Sequence, residues 1–519
     1  MRWGKVMDQD RCIGCHACSV ACKSENDVPL GSFRTWVKQV EKGVFPDVRR
    51  HFAVLRCNQC EDAPCVRICP TAAMFRRPDG IVDFDPEICI GCKSCIQACP
   101  YDAIYMDPRT STAAKCNFCA HRVEIGLEPA CVTACPENAL IVGDLDDPSS
   151  RISGIVSRQT VSVRKPELGT RPKVFYKGAD ESVLRPDAAA RPQEGMWGRG
   201  RVLPIGDVRA DAAPGGRAAA AIVAYDVPRD GSPWGWMISA YLLTKGIGAG
   251  TLMVSGLLAL LAGALPGSHG GVAGFAAALP ALLALVFLLV TTGFLVGDLK
   301  RPERFLLILL RPQWGSWLVR GTFCILAAVL VALVWAALAL FEPGAPSAGE
   351  ARLLGAFAIA SGIAASGYTA FLLGQARGRA FWQSPLLLPH LVVQAFAAGA
   401  ATLIIIAPVL AEAGLEKLLA AFLMGALVLD ALAVGSDLFS HVGPEDARAA
   451  ARAITKGRFR DLFLVAAGSR LAAFVMLVAH FWIGGAVLPL TTLASAFALV
   501  GLAVWEHVYV LAGQEPPLS

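Results

Sequence analysis

Past residue 135 the chain of 519 residues has almost no cysteine: Cys324 stands alone there, and the other sixteen lie before it. A disulfide framework therefore cannot hold the larger part of the molecule together. Charge is scarce as well, at 17% against 55% hydrophobic residues, which is too little for a wholly soluble chain and fits one that is half membrane. The opening MRWGKVMDQDRC lacks an apolar signal core and a twin-arginine signal, so the N-terminal part is expected to stay on the side where it is made. No Gly-rich nucleotide fingerprint follows a strand anywhere, and the net charge of +5 carries no implication of nucleic acid.

The cysteines that are present fall into four groups of four: Cys12, Cys15, Cys18, Cys22; Cys57, Cys60, Cys65, Cys69; Cys89, Cys92, Cys95, Cys99; and Cys116, Cys119, Cys131, Cys135. Groups one and three read C-x2-C-x2-C-x3-C, the ferredoxin run in which three thiolates hold one [4Fe–4S] cube and the fourth reaches a partner cube. Zinc knuckles use paired C-x2-C, but they need neither the additional cysteines nor the prolines Pro70, Pro100 and Pro136 that follow groups two to four. Four groups imply four cubes. By sequence proximity the inner groups should pair, giving Cys57, Cys60, Cys65 with Cys99, and Cys89, Cys92, Cys95 with Cys69. The outer groups would then give Cys12, Cys15, Cys18 with Cys135, and Cys116, Cys119, Cys131 with Cys22. Gly14 and Gly91 either let backbone amides approach the sulfides or only relieve a tight turn.

From about residue 236 apolar stretches appear that can each cross a bilayer core of about 20 residues. Eight helices are expected near 236–262, 275–297, 317–341, 352–374, 386–410, 415–439, 461–483 and 486–512. Loops on the side of the N-terminus hold eleven basic residues, Lys300, Arg301, Arg304, Arg311, Arg377, Arg379, Arg448, Arg452, Lys456, Arg458 and Arg460, while loops 263–274, 342–351, 411–416 and 484–485 hold none. By the positive-inside rule the cysteine-rich domain should face the cytoplasm, on a multi-pass inner-membrane protein. Trp234, Trp236, Trp314 and Trp317 cluster at helix starts as an interfacial belt would. The expected fold is an α+β double bicluster-ferredoxin-like domain over 1–185, a flexible linker rich in Ala, Pro, Gly and Arg over 186–232, and an all-α eight-helix transmembrane bundle over 233–519. ALIVG and KVFY, within 140–184, read as strands of the first domain.

The stretches CNQCEDAPCVRICP, CIGCKSCIQACPYDAI, CNFCAHRVEIGLEPACVTACPENAL and GTRPKVFYKGAD resemble the four-cluster electron-transfer subunits of molybdopterin oxidoreductases, the group of dimethyl sulfoxide, polysulfide and formate enzymes. GDLKRPERF at 297–305 and GYTAFLLGQARGRAFWQSPLLLP at 367–389 resemble the NrfD family of membrane subunits. The chain looks like a fusion of the two. The resemblance implies that electrons pass between a separate catalytic subunit, expected to be of molybdopterin type, and a quinone, menaquinone or ubiquinone, held among the helices. Nothing in the chain forms a molybdopterin or nickel site, so it is expected to turn over no substrate by itself.

Ionisable residues inside a membrane mark functional sites by default. Depth selects Lys245, two turns into the first helix, Asp298 at the end of the second, Tyr368 toward the end of the fourth and His390 at the start of the fifth. Tyr368 also resembles the quinone-contacting tyrosine of the polysulfide reductase membrane subunit, and His390 would donate a second hydrogen bond or relay a proton. Asp430, Asp437, Glu506 and His507 read either as a proton path or as partners of Arg470. Two other readings of the helices stand beside quinone chemistry: a proton-translocating module, and an anchor with no quinone site of its own.

Overall fold

The computed structural model describes residues 1–43, 45–190, 221–227, 231–264, 266–267, 275–341, 346–410, 414–439, 443–483 and 488–519. Two compact units emerge, Met1–Pro233 with Ala376–Gly378 and Pro517–Ser519, and Trp234–Gln375 with Arg379–Pro516.

The first unit is α+β. Strands β1 (Trp3–Asp8), β2 (Thr35–Lys42), β3 (Arg49–Arg56), β4 (Met74–Arg76), β5 (Val82–Phe84), β6 (Ile104–Asp107), β7 (Thr112–Lys115), β8 (Leu140–Asp144), β9 (Val174–Lys177) and β10 (Ile222–Tyr225) alternate with helices. The helices are α1 (Ala17–Glu25), α2 (Pro64–Ile68), α3 (Ser94–Ala98), α4 (Ala120–Val123), α5 (Ala130–Thr133), α6 (Arg151–Arg158) and α7 (Glu181–Leu184). One sheet runs β8-β1-β9, with β8 antiparallel and β9 parallel to β1, so ALIVG and KVFY both flank the N-terminal strand. A second sheet runs β10-β2-β3, and β4–β5 and β6–β7 are hairpins. Met7, Val40, Leu55, Val174 and Tyr176 are buried in one core cluster shared by the first two sheets, and Val6 packs on Ile141 and Ile152 on the other face of β1.

Each cysteine group follows the same local plan. The third cysteine, Cys18, Cys65, Cys95 or Cys131, lies on a short helix. Where proline comes after the fourth cysteine it bars the helical conformation at that cysteine: Cys69 and Cys99 close α2 and α3 with ψ of 122° and 115°. Group one has no such proline, and α1 runs on past Cys22 to Glu25. The residue two after each first cysteine, Gly14, Gln59, Gly91 or Phe118, has positive φ. At Gly14 a Cβ would also lie 2.3 Å from the Phe52 ring, so both the turn and the packing demand glycine there.

Part of the expected linker is structured. Ile222–Tyr225 pairs antiparallel with β2, shifts register between Val223 and Tyr225, and buries Val223. A short Ile-Val-Ala-Tyr run after a poly-alanine tract reads as tether in the sequence because it is too brief for periodicity to stand out. Residues 191–220 and 228–230 of that stretch lie outside the described residues.

Among the described residues the second unit contains eight helices long and apolar enough to cross a membrane. They are α8 (Trp236–Ala262), α9 (Phe275–Gly297), α11 (Trp317–Phe341), α12 (Ala348–Gln375), α13 (Leu387–Leu410), α14 (Leu415–Phe439), α16 (Arg460–Ile483) and α17 (Leu488–Ala512), with short α10 (Leu307–Leu310) and α15 (Glu445–Thr455) between them. Helix α8 lies inside the bundle, flanked by α9, α12 and α13. Small residues let it in: a Cβ on Gly250 would fall 1.7 Å from the Ala395 carbonyl oxygen, and one on Gly256 would fall 2.5 Å from that of Gly355. Of the expected tryptophan belt, Trp236 and Trp314 are exposed, but Trp234 is buried and stacks on Trp382 at 5.5 Å. Cys324 is half-buried in α11.

Candidate functional site

In the first unit the thiols gather in four sets. Cys12, Cys15, Cys18 and Cys135 line one recess, Cys57, Cys60, Cys65 and Cys99 a second, and Cys69, Cys89, Cys92 and Cys95 a third, of about 340, 310 and 370 Å³ counting their open mouths. Asn26 ties the fourth set together, its Nδ2 lying 3.8 Å from Cys22 Sγ and 3.7 Å from Cys119 Sγ. Burial, with the neighbouring Cys116, Cys131 and Cys119 thiols, pushes Cys22 up to about 12. Backbone amides of Met74, Ala113 and Ala139 donate to the sulfurs of Cys69, Cys89 and Cys135 at 3.4, 3.5 and 3.3 Å.

These recesses suit a cube-shaped multi-iron group. All seventeen cysteines are free of disulfides, so the thiols of each set are available as ligands. Charge points the same way. Arg56 Nη1 lies 3.2 Å and Lys5 Nζ 3.7 Å from Cys131 Sγ. Burial raises the Cys131 thiol, and the two cations more than reverse it, leaving it at about 7. Of the nearby histidines, His16 bonds Gln39 at 3.1 Å beside the first recess, and His121 pairs with Glu25 at 2.7 Å.

In the second unit a pocket of about 320 Å³, counting its open mouth, lies among α8, α12, α13 and α17, where Lys245, Ser366, Gln394 and Glu506 meet leucine and alanine side chains. Tyr241 and Lys245, one turn apart, share a face of α8. Lys245 Nζ donates to the Ser366 carbonyl at 3.1 Å and to the Thr369 hydroxyl. Tyr241 bonds Thr369 Oγ1 at 2.7 Å and accepts from Tyr368 at 3.5 Å. The ammonium stands 5.0 Å from the Tyr368 ring centre and 5.2 Å from that of Tyr241. Gly321 of α11 makes the room, since a Cβ there would lie 2.1 Å from the Tyr368 ring.

A second cluster surrounds Asp430, which is wholly buried on α14. His390 Nε2 and Gln394 Nε2, one turn apart on α13, each lie 3.0 Å from Asp430 Oδ1, and Arg470 of α16 pairs with Oδ2. Lys245 and Tyr368 are thus brought together, whereas His390 is committed to Asp430. Asp298 follows α9 half-buried and does not line the pocket. Asp437 bonds Ser384 at 2.6 Å and His507 bonds Ser239 at 3.2 Å. Tyr241, Thr369 and Gln394 do not stand out in the sequence, because a search for ionisable groups at membrane depth passes over them; their helical spacing from Lys245, Ser366 and His390 is the signal that could have found them.

Comparison with known proteins agrees with this division. Residues 48–145 match a 4Fe-4S dicluster domain and residues 3–24 a 4Fe-4S binding domain. The chain is 46% identical over 200 residues to a subunit of the tetrathionate reductase of Salmonella typhimurium, covering 38% of this chain and 80% of that protein. It is 45% identical over 179 residues to one of the polypeptides of the polysulfide reductase of Wolinella succinogenes, covering 34% of this chain and 93% of that protein. A third relative, the arsenate respiratory reductase iron-sulfur subunit ArrB of Shewanella sp., is 36% identical over 224 residues, covering 34% and 96%. The first unit is therefore an iron–sulfur electron-transfer domain, here fused to the membrane helices that follow it. Residues 227–516, more than half of the sequence, match the family described as polysulphide reductase, NrfD, and this protein is a member of that family.

Proposed function

We propose that the chain relays electrons through four [4Fe–4S] cubes, held by the four cysteine sets described above, between a separate catalytic subunit and a quinone in the Lys245 pocket. The observation that carries the quinone end is that pocket: a lysine, a serine, a glutamine and a glutamate set among leucine and alanine side chains. Reduction of a quinone consumes two electrons and two protons. Lys245, which lines the pocket, supplies a donor for a carbonyl oxygen, and Tyr368, outside the lining but with its ring 5.0 Å from the ammonium, supplies a second; Glu506 in the pocket and the His390–Asp430 pair beyond Gln394 supply groups that hold protons. A catalytic partner follows from the relatives, whose names make them components of tetrathionate, polysulfide and arsenate reductases. The molybdopterin type of that partner, menaquinone or ubiquinone as the acceptor, and the cytoplasmic face rest on the resemblance and the loop charges.

The test is stopped-flow reoxidation of the purified, full-length, dithionite-reduced protein with a soluble menaquinone analogue. Tyr368→Phe with His390→Ala, and separately Lys245→Met, should slow reoxidation at least tenfold while leaving the iron content unchanged. Unaltered rates in both would leave the helices as an anchor. One observation favours a further role in moving protons: Gln394 both lines the pocket and bonds Asp430, so the two polar clusters are contiguous. Proteoliposomes carrying a pH dye would show acidification or alkalinisation coupled to turnover if that role is real.

A further inference from the structure

Arg56 ends β3 and Lys5 sits in the middle of β1, each only 1% exposed, and both reach one sulfur, that of Cys131. Thr35 Oγ1 takes another guanidinium nitrogen at 2.9 Å, and Lys5 Nζ lies 4.3 Å from the Phe118 ring centre. Neither cation forms a salt bridge with a carboxylate among the described residues. Burying one unpaired charge costs several kcal/mol, and the cost for two side by side is prohibitive unless a permanent anion faces them. The nearest anionic candidate in this unit is the set Cys22, Cys116, Cys119 and Cys131.

Of the other buried cations of this unit, Lys93 lines the third recess, while three are spent differently. Lys115 donates to the carbonyls of Val82 and Cys116, Arg164 to the Leu184 carbonyl at 3.3 Å and Lys173 to the Gly80 carbonyl at 2.6 Å. Their charge lies near the second set but their protons go to backbone oxygen. Around Cys131 both the charge and the N–H protons go to sulfur, and Asn26 adds an amide to Cys22 and Cys119.

We infer that Arg56 and Lys5 give the group held by Cys22, Cys116, Cys119 and Cys131 the most positive reduction potential of the four, making it the electron trap of the relay. The inference rests on the cysteine assignment proposed above. Reduction brings in one electron, surrendered by a neighbouring group or by the external donor, and with it one negative charge and no proton. Fixed cations and N–H donors at sulfur favour that added charge, and hydrogen bonds and net charge are the levers that set such potentials.

The experiment is a potentiometric titration of the full chain in detergent, followed by electron paramagnetic resonance, on the unsubstituted protein and on Arg56→Lys, Arg56→Gln, Lys5→Met and, as a control, Arg185→Gln, an exposed arginine paired with Glu181 and Asp187. The most positive of four midpoints should fall in Arg56→Gln by at least tenfold in the reduction equilibrium, about 59 mV for one electron. Lys5→Met should lower the same midpoint, Arg56→Lys should lower it less, and Arg185→Gln should move none. Midpoints that stay put with iron retained would overturn the inference, as would a shift confined to a group that is not the most positive. If Arg56→Gln loses iron, Lys5→Met and Arg56→Lys decide by the same criterion. Iron analysis of the unsubstituted chain separates the two claims: fewer than four cubes sinks the cysteine assignment, whereas four cubes with unmoved midpoints sinks only the role of the cations.

Discussion

Gln394 donates through Nε2 to Oδ1 of Asp430 at 3.0 Å and, with the same side chain, lines the pocket that holds Lys245 and Glu506. One residue therefore belongs both to the pocket and to the buried ion cluster. Helical spacing explains how: His390 and Gln394 are four apart on α13, so both fall on the face that meets α14. The pocket and the Asp430 cluster thus share this amide.

Asp430 keeps Arg470 and His390 in place. Asp430→Leu would leave the Arg470 guanidinium, only 8% exposed, without its carboxylate. Breaking a buried pair from one side costs about 3–5 kcal/mol, whereas replacing both members by apolar residues is often near neutral. Asp430→Leu alone should therefore lower the thermal midpoint in detergent sharply, and the double variant Asp430→Leu with Arg470→Met should recover most of the loss. A double variant as damaged as the sum of the singles would count against this account.

The contact between α8 and α13 is expected to be intolerant of even one methyl. A Cβ on Gly399 would lie 2.1 Å from the Gly250 carbonyl carbon, a backbone atom that cannot swing away. Gly399→Ala should separate the helices and cost at least the 1–3 kcal/mol or so typical of overpacking. At Gly374 and Gly435 nothing lies within 4 Å, so alanine there should be neutral or stabilise by about 1 kcal/mol through helix propensity. Thermal stability of the three variants in one detergent checks the contrast.

Much of this architecture was legible. The cysteine spacing and the C-P endings carry the local plan of the recesses because proline and the i, i+4 helical step act within a few residues. The eight apolar runs carry the membrane helices for the same reason. What could not be read is what depends on long-range contact. Arg56 and Lys5 look like ordinary strand residues until β1 and β3 bring both to Cys131, 75 and 126 residues away. Likewise nothing local says that Lys245 would meet Thr369 and Tyr368, or that His390 would turn to Asp430. The strand at Ile222–Tyr225 needs β2 as its partner, and so reads as linker when taken alone.

Gly14 should be required for filling the first recess. Alanine there faces two obstacles, φ of +71° and the Phe52 ring 2.3 Å from its Cβ. Gly14→Ala is expected to lower the iron-to-protein ratio by about one cube while leaving the other three groups spectroscopically intact. Adding Phe52→Leu relieves the steric obstacle but not the backbone one, so recovery should be partial. Full recovery in the double variant would show that packing alone imposed the glycine.

The cytoplasmic side proposed for the iron–sulfur domain rests on loop charge, and short α15 carries part of that charge. Two of the eleven basic loop residues, Arg448 and Arg452, pair with Glu445 at 2.7 and 2.5 Å. The pairing does not weaken the signal, because orientation depends on Lys and Arg while acidic residues contribute little. Protease added outside spheroplasts should therefore leave residues 1–230 intact, and permeabilisation should expose them to cleavage. Moving the asymmetry should move the outcome: placing several lysines in loop 263–274 of a chain whose loop 298–316 has lost Lys300, Arg301 and Arg304 should yield a population cleaved from outside. Cleavage of the unaltered N-terminal domain in intact spheroplasts would reverse the assigned topology and with it the face on which the catalytic partner must dock.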